Sequence, residues 1–245
     1  MNEERQRKGS ATISGAGKLT GGVYEQVKIA GAGRVEGDLE ADTVIVSGAG
    51  KIEGSVKAKE LRTSGSCRVS GDVEAQSFKM AGAGHVEGKV RANQFKSSGS
   101  QKIGRDLKGE QIHIAGSFNV GGDVEADQFQ AKGAFRIAGL LNADRIEIDL
   151  GGHSSVREIG GSKITVRRGA FGSLFPWGRG SGRLKVESIE GDEIHLEATR
   201  AQIVRGNRVT VGEGCEIETV EYSESLKVDT AATVRNRAKV GEVEE

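Results

Sequence analysis

Disulfides, one-sided charge and long apolar runs are all missing from this chain of 245 residues, which also has one proline, one tryptophan and only 4% aromatic residues. Its two cysteines, Cys67 and Cys215, stand far apart and outside any C-x-x-C arrangement. The chain is not expected to carry a disulfide framework, and a reducing cytoplasm fits. With 35 basic and 35 acidic residues the net charge is zero, so no global field draws the chain to nucleic acid. No segment is apolar for long enough to span a bilayer, and Met1 to Ala11 is polar rather than signal-like. The expectation is a cytoplasmic protein that stays where it is made.

What is present is a beat. Gly31, Gly48, Gly65, Gly82, Gly99, Gly116 and Gly133 recur with a period of 17, and Gly15 precedes Gly31 by 16. A short fixed period means one structural unit stacked on copies of itself. Counting from each glycine, the fifth place holds Leu19, Val35, Ile52, Val69, Val86, Ile103, Val120 and Ile137. The ninth holds Val23, Leu39, Val56, Val73, Val90, Leu107, Val124 and Leu141. A third apolar column runs Val27, Val44, Leu61, Phe78, Phe95, Ile112, Phe129 and Ile146, and a fourth, two residues on, includes Ile29, Val46, Met80 and Ile148.

Spacing within these columns is mostly even, which is the strand period, and the glycine content speaks against helix. One such coil cannot stand alone. Ordering its backbone costs about 1–2 kcal/mol per residue, against about 1.5–3 kcal/mol for each aliphatic side chain buried. Stacking coils in register joins the columns into a continuous core and gives each strand a ladder on both sides. The predicted fold is all-β: a single-stranded β-helix, or solenoid, of about twelve coils of about 17 residues. Outward places carry charge, and the tenth alternates Glu40, Lys57, Glu74 and Arg91, so that neighbouring coils can pair opposite signs.

The layout read from this pattern is a disordered charged tail over 1–13, a regular β-helix over 14–166, and a basic aromatic insertion over 167–183. A less regular continuation of the β-helix follows over 184–234, then a C-terminal tail over 235–245. The insertion, RRGAFGSLFPWGRGSGR, holds the only proline and the only tryptophan and has no acidic residue. Arg167, Arg168, Phe171, Leu174, Phe175, Trp177, Arg179 and Arg183 make it the candidate contact for a membrane surface or a protein partner. The competing reading is a loop that folds back on the solenoid.

Catalytic, cofactor and metal sites are not expected. His85, His113 and His195 fall at outward places, His153 lies in a loosened coil, and no two histidines have metal-ligand spacing. Cys67 and Cys215 read as small buried residues. The Gly-x-Gly steps lack a following Lys-Ser or Lys-Thr and a helix, so they are corners rather than phosphate loops. Lyase-type β-helices build their sites on extruded loops, and hexapeptide acyltransferases need an aliphatic residue every sixth place. The eight regular coils from Gly15 to Asp149 offer neither.

Segments such as Val35-Glu36-Gly37-Asp38-Leu39-Glu40-Ala41 and Val69-Ser70-Gly71-Asp72-Val73-Glu74-Ala75, each followed by an aliphatic pair, resemble the repeat of the bactofilins, the polymer-forming cytoskeletal proteins. The resemblance covers at least residues 31–148. It implies a right-handed β-helix of triangular section that assembles end to end, without nucleotide, into a homopolymer. It further implies a non-enzymatic scaffold for cell shape, envelope organisation or motility, whose partners include itself and envelope or motility proteins. The chain departs from the family in its length and in lacking a short apolar anchor at its first residues. Assembly also follows from physics, because each end of a solenoid exposes unpaired backbone and the end of an apolar core. The residues assigned to such ends are Ile13, Leu19 and Val23 at one, and Leu226, Val228 and Val234 at the other. The alternatives are an adaptor acting through the insertion and, less favoured, a β-helix enzyme.

Overall fold

The structure, a computed structural model, describes residues 8–169 and 182–241. Every strand pairing given by the register is parallel, and the fold is a β-solenoid of about 13 turns, with no helix among the described residues. The chain divides into two compact units. The first comprises residues up to His113 together with Ser117–Gly121, and the second comprises Ile114–Gly116 with Gly122 onward.

In the first unit β1 (Ala11–Ile13), β2 (Gly17–Ile29) and β3 (Ala32–Val46) are followed by β4 (Ala49–Ile52), β5 (Val56–Thr63), β6 (Ser66–Val69), β7 (Val73–Val86), β8 (Val90–Ile103) and β9 (Leu107–Lys108). The repeat columns are ladder columns: Val35 pairs with Ile52, Ile52 with Val69 and Val69 with Val86, all buried. Large side chains stack in one column and small ones in another, as Leu61, Phe78 and Phe95 do beside Ala58, Ala75 and Ala92. Phe78 stands edge-on to Phe95 at 5.4 Å between ring centroids, and Phe95 lies 5.7 Å from Phe118, all three with no exposed surface. Gln101 enters the interior where its neighbour in the column is Gly84, since a Cβ on Gly84 would run into Gln101 Oε1 and Met80 Cε. Its Nε2 donates to the corner carbonyls of Gly82 (3.1 Å) and Ser98 (3.0 Å).

The second unit contains β11 (Val124–Leu150), β12 (Ser154–Arg168), β13 (Leu184–Leu196), β14 (Thr199–Val211), β15 (Glu216–Val228) and β16 (Thr233–Lys239), while β10 (Gln111–Val120) contributes residues to both units. Ile146, Ile164, Ile194, Val209 and Leu226 form one column, and Ile148, Val166, Leu196, Val211 and Val228 another. The loosened segment before the insertion is thus a full coil, with Val156, Ile159, Ile164 and Val166 buried.

Three boundaries differ from the sequence reading. Ala11–Ile13, placed in a disordered tail, pairs with Val27–Ile29, and Lys8 bridges to Tyr24. Thr233–Lys239, mostly placed in the C-terminal tail, pairs with Glu216–Tyr222. Ala11–Ile13 is too short to show a period and Thr233–Lys239 is polar, as a terminal strand with a neighbour on one side only can be, and together they account for a turn more than expected. Third, the short first coil loses its residue between Thr20 and Gly22, so Gly22 pairs with Leu39 and Val23 with Glu40. Val23 therefore leaves the ninth-place column, and Tyr24 turns inward instead, buried over Ala41.

Candidate functional site

Both ends interrupt the columns. At the C-terminal end Leu226, Val228 and Val234 are each half-buried, whereas Val209, Val211 and Ile217 directly beneath them are at most 2% exposed. β16 covers the faces of Ile217 and Val220 but no strand follows over Leu226 and Val228 among the described residues, so that edge of β15 is open. The column Ile189, Val204, Val220 ends in the exposed Arg237, a charge above three buried aliphatic residues. At the N-terminal end Leu19 is half-buried over the fully buried Val35. Ile13, assigned to the same contact, is only 8% exposed, and Val23 faces along the outward charge column.

Each end also carries a tyrosine beside a lysine in a column of otherwise small residues. The Tyr24 hydroxyl donates to Thr20 O at 2.7 Å, and Lys8 Nζ lies 5.3 Å from the ring centroid. Lys239 stands in register on Tyr222, above Gly206 and Gly191. At the first of these sites the buried aromatic body fills the terminal corner and the ammonium lies over its ring, an arrangement favourable by cation–π attraction.

The regular coils are bound at one corner by a ladder that the sequence reading missed. Asp38 Oδ1 accepts from Ser55 N (2.8 Å), Ser55 Oγ from Asp72 N (3.2 Å), and Asp72 Oδ1 from Lys89 N (2.8 Å). Asp123 Oδ1 accepts from Leu140 N at 2.8 Å in the same way. The signal was present as Asp, Ser, Asp, Lys, Asp, Asp at period 17, but short polar residues beside glycine read as ordinary turn formers.

None of the sequence candidates for chemistry converges with another into a reactive constellation. His85 is pulled below the usual imidazole range by partial burial, then by Arg68 and Lys102 on the neighbouring coils. His195 Nε2 lies 3.5 Å from Glu197 Oε1 beside an open depression of about 520 Å³, which Arg168 and Glu213 also line. There Arg168 Nη1 meets Glu213 Oε1 at 3.4 Å and the Arg168 amide donates to Glu197 Oε2 at 2.9 Å, so the polar groups already satisfy one another. Burial pushes the Cys67 thiol up to about 12 and the Cys215 thiol up to about 11, far from thiolate reactivity. No cluster of three metal-ligating side chains occurs among the described residues.

Of the insertion, Phe171, Leu174, Phe175, Trp177 and Arg179 lie outside the described residues. Arg183 Nη1 meets Glu216 Oε1 at 2.9 Å, so this arginine, like Arg168, is bound to the solenoid wall, while Arg167 is exposed. No helix among the described residues is long and apolar enough to cross a membrane.

Fold and surface together define a class: a parallel β-solenoid whose distinguishing features are its repeat and its two open ends rather than a pocket. A sequence profile of the bactofilins, described as polymer-forming cytoskeletal, matches residues 4–91. Uncharacterized protein YhbE of Bacillus subtilis is 58% identical over 233 residues, which cover 93% of this chain and 97% of that protein. Uncharacterized protein YhbF of the same organism is 42% identical over 87 residues, 36% of this chain and 35% of that one. The chain thus spans nearly all of YhbE and about a third of YhbF. No solved structure matches it. The chain belongs to the bactofilin family, whose members are polymer-forming cytoskeletal proteins.

Proposed function

We propose that the protein is a non-enzymatic scaffold whose solenoids stack end to end, without nucleotide, into cytoskeletal filaments. The observation that carries this reading is the contrast along single columns: Leu226, Val228 and Val234 are half-exposed where the residues beneath them are buried. A second copy that continues these columns removes aliphatic surface from water at about 25 cal/mol per Å² and supplies ladder partners to an unpaired strand edge. Arg237 confines that contact at the C-terminal end to the faces of Leu226, Val228 and Val234, because a guanidinium in a dry interface needs its own partner. At the other end Leu19 is the aliphatic residue left open, with Ile13 and Ala11 forming the edge strand beside it.

Nucleotide independence is supported by what the glycines do. A Cβ on Gly48 would strike Gly31 O of the preceding coil, and one on Gly65 would strike Gly48 O, so these glycines exist for coil-to-coil approach and leave no cradle for a phosphate. Organisation of the cell envelope, cell shape or motility, in the cytoplasm or along its membrane, is the role this scaffold would serve. Negative-stain microscopy and sedimentation of full-length protein test it. Wild type should form filaments with no nucleotide added, and Leu226→Lys with Val228→Lys should abolish them while circular dichroism stays that of a β-solenoid. Filaments that persist in the double variant would remove the C-terminal end from the contact, and their absence in wild type would overturn the reading.

A further inference from the structure

Four successive members of one charge row in the first unit are left unpaired; the row begins at Val23 and runs on from Arg91 to Lys108. Register stacks Glu40 on Lys57, Lys57 on Glu74 and Glu74 on Arg91, one residue per coil, and all four are exposed. None of the four makes an ion pair or side-chain hydrogen bond among the described residues, although such pairs form elsewhere along single columns. Lys59 meets Asp42 at 2.9 Å and Lys89 meets Asp106 at 2.9 Å. In the second unit the corresponding column is paired internally, with Arg205 Nε 2.7 Å from Glu221 Oε2. The unpaired row borders an open groove of about 550 Å³ whose floor is Ala41, Ala58 and Ala75, none more than 7% exposed. On the opposite wall Asp42 is bound to Lys59 and Asn93 Nδ2 donates to Glu110 Oε1 at 2.8 Å, while the uncharged Gln76 is exposed between them.

The order of signs decides what fits. A polyanion or an anionic surface needs one sign, and this row alternates. An extended peptide lying along the groove repeats its side chains on one face about every 6.6–6.8 Å, out of step with coils about 4.8 Å apart. A second copy of the same row, turned about a two-fold axis between Lys57 and Glu74, is complementary at each of these four positions, with Val23 and Lys108 falling opposite each other at its ends. Negative, positive, negative, positive read backwards is positive, negative, positive, negative.

We propose that this face is a lateral, two-fold contact between two copies of the chain. In it Glu40 meets the partner's Arg91, Lys57 meets the partner's Glu74, and each pair recurs by symmetry. The alanine floor lets the two rows approach without a side-chain clash. A parallel copy shifted by one coil would satisfy three of the four charges and leave the contact open-ended. The two-fold arrangement satisfies all four and closes. The contact is polar and exposed, so it weakens with salt, and in a polymer it gains strength from repetition along the length. It does not depend on end stacking, which sets length rather than width.

Charge reversal tests it on the full chain. Sedimentation at low salt should show a paired species, seen as doubled width if filaments are present, and molar salt should dissolve it. Lys57→Glu alone sets a carboxylate against the partner's Glu74, and Glu74→Lys alone sets an ammonium against the partner's Lys57, so each variant should lose pairing. A mixture of the two single variants is complementary at all four positions and should regain it. The double variant K57E/E74K should regain it as well. That last result separates the proposal from a role in coil register, because the double variant destroys the alternation within one chain yet keeps the two-fold complementarity. Pairing that is absent from wild type, or no better in the mixture and the double variant than in the singles, would overturn the proposal. Filament length, scored in the same images, reports end stacking separately.

Discussion

From Ala32 onward the ladder step of the first unit holds constant at 17, as from Val44 to Leu61 and from Leu61 to Phe78. The second unit advances 18 from Ile146 to Ile164, 15 from Ile194 to Val209, 16 from Ile203 to Thr219 and 17 from Val209 to Leu226. With the step constant, a short side chain at one corner always meets the same amide on the next coil, as Asp38, Ser55 and Asp72 do. Asp123 still reaches Leu140, a step of 17 further on, before the step changes. Beyond it, neighbouring coils are joined by longer reaches: Lys163 to Glu193, Arg208 to Glu224 and Arg235 to Glu218, each within 2.9 Å. Long flexible ion pairs tolerate a residue gained or lost at a corner. A carboxylate bonded to a fixed amide does not. Both units carry ion pairs between coils, but the first adds a corner ladder of backbone-directed hydrogen bonds at a fixed step, whereas the second keeps a single bond of that ladder, at Asp123, and joins its later coils mainly through charge.

The largest break in that comparison comes from the aromatic stack of the first unit. Phe95→Ala removes a fully buried ring that touches Phe78 and Phe118, and should cost about 3–5 kcal/mol. Cys67 and Cys215, buried in the first and second units respectively, serve as built-in reporters, because each reacts with a thiol reagent only when its own unit opens. In mild denaturant Phe95→Ala should accelerate labelling of Cys67 and leave Cys215 slow. Equal acceleration of both would show that the units open as one.

A smaller effect separates the corners. Gly82 has φ of 92°, and a Cβ there would stand 2.5 Å from Gly65 O, so Gly82→Ala should destabilise by about 1–3 kcal/mol. At Gly160 in the second unit a Cβ meets only Asn142 Oδ1, at 3.2 Å, and Gly160→Ala should stay within about 0.5 kcal/mol. Thermal melts of the two variants measure the difference directly. Comparable losses would mean that the second unit is as tightly stepped as the first.

The smallest effect tests the two ways of holding register. Asp72→Ala loses the bond from Lys89 N, about 0.5–1.5 kcal/mol, and that loss should persist at high salt. Arg205→Ala loses an exposed pair with Glu221, about 0.2–1 kcal/mol, and that loss should fade as salt screens it. Denaturant titrations at two ionic strengths compare them. A salt-sensitive Asp72→Ala would show that the corner ladder is charge pairing after all.

Much of this was legible in the chain. The columns from Val35 to Ile137 appeared as a period of 17 and emerged as buried ladder columns. The coil from Ser154 to Arg168 was readable even where the glycines had gone, because Val156, Ile159, Ile164 and Val166 kept the strand period. Illegible were the places where one residue is gained or lost. A shortened first coil does not say which residue is missing, and only the pairing of Gly22 with Leu39 moved Val23 out of the core and Tyr24 into it. The terminal strands were hidden because Thr233–Lys239, TVRNRAK, has one aliphatic residue besides its single alanine, too few for a periodic signal. Of the residues assigned to the ends, Leu226, Val228 and Val234 stand where burial breaks off, while Ile13 is covered.

The sequence by itself determined the architecture, since a period of 17 with aliphatic residues at even spacing buries its apolar surface only by stacking on itself. It also determined the order of signs along Glu40, Lys57, Glu74 and Arg91. Only the tertiary structure decided where each column stops, which charges are consumed within the chain and which remain for a neighbour. Those are properties of rotamers and of register between one coil and the next, and a local pattern carries no record of them.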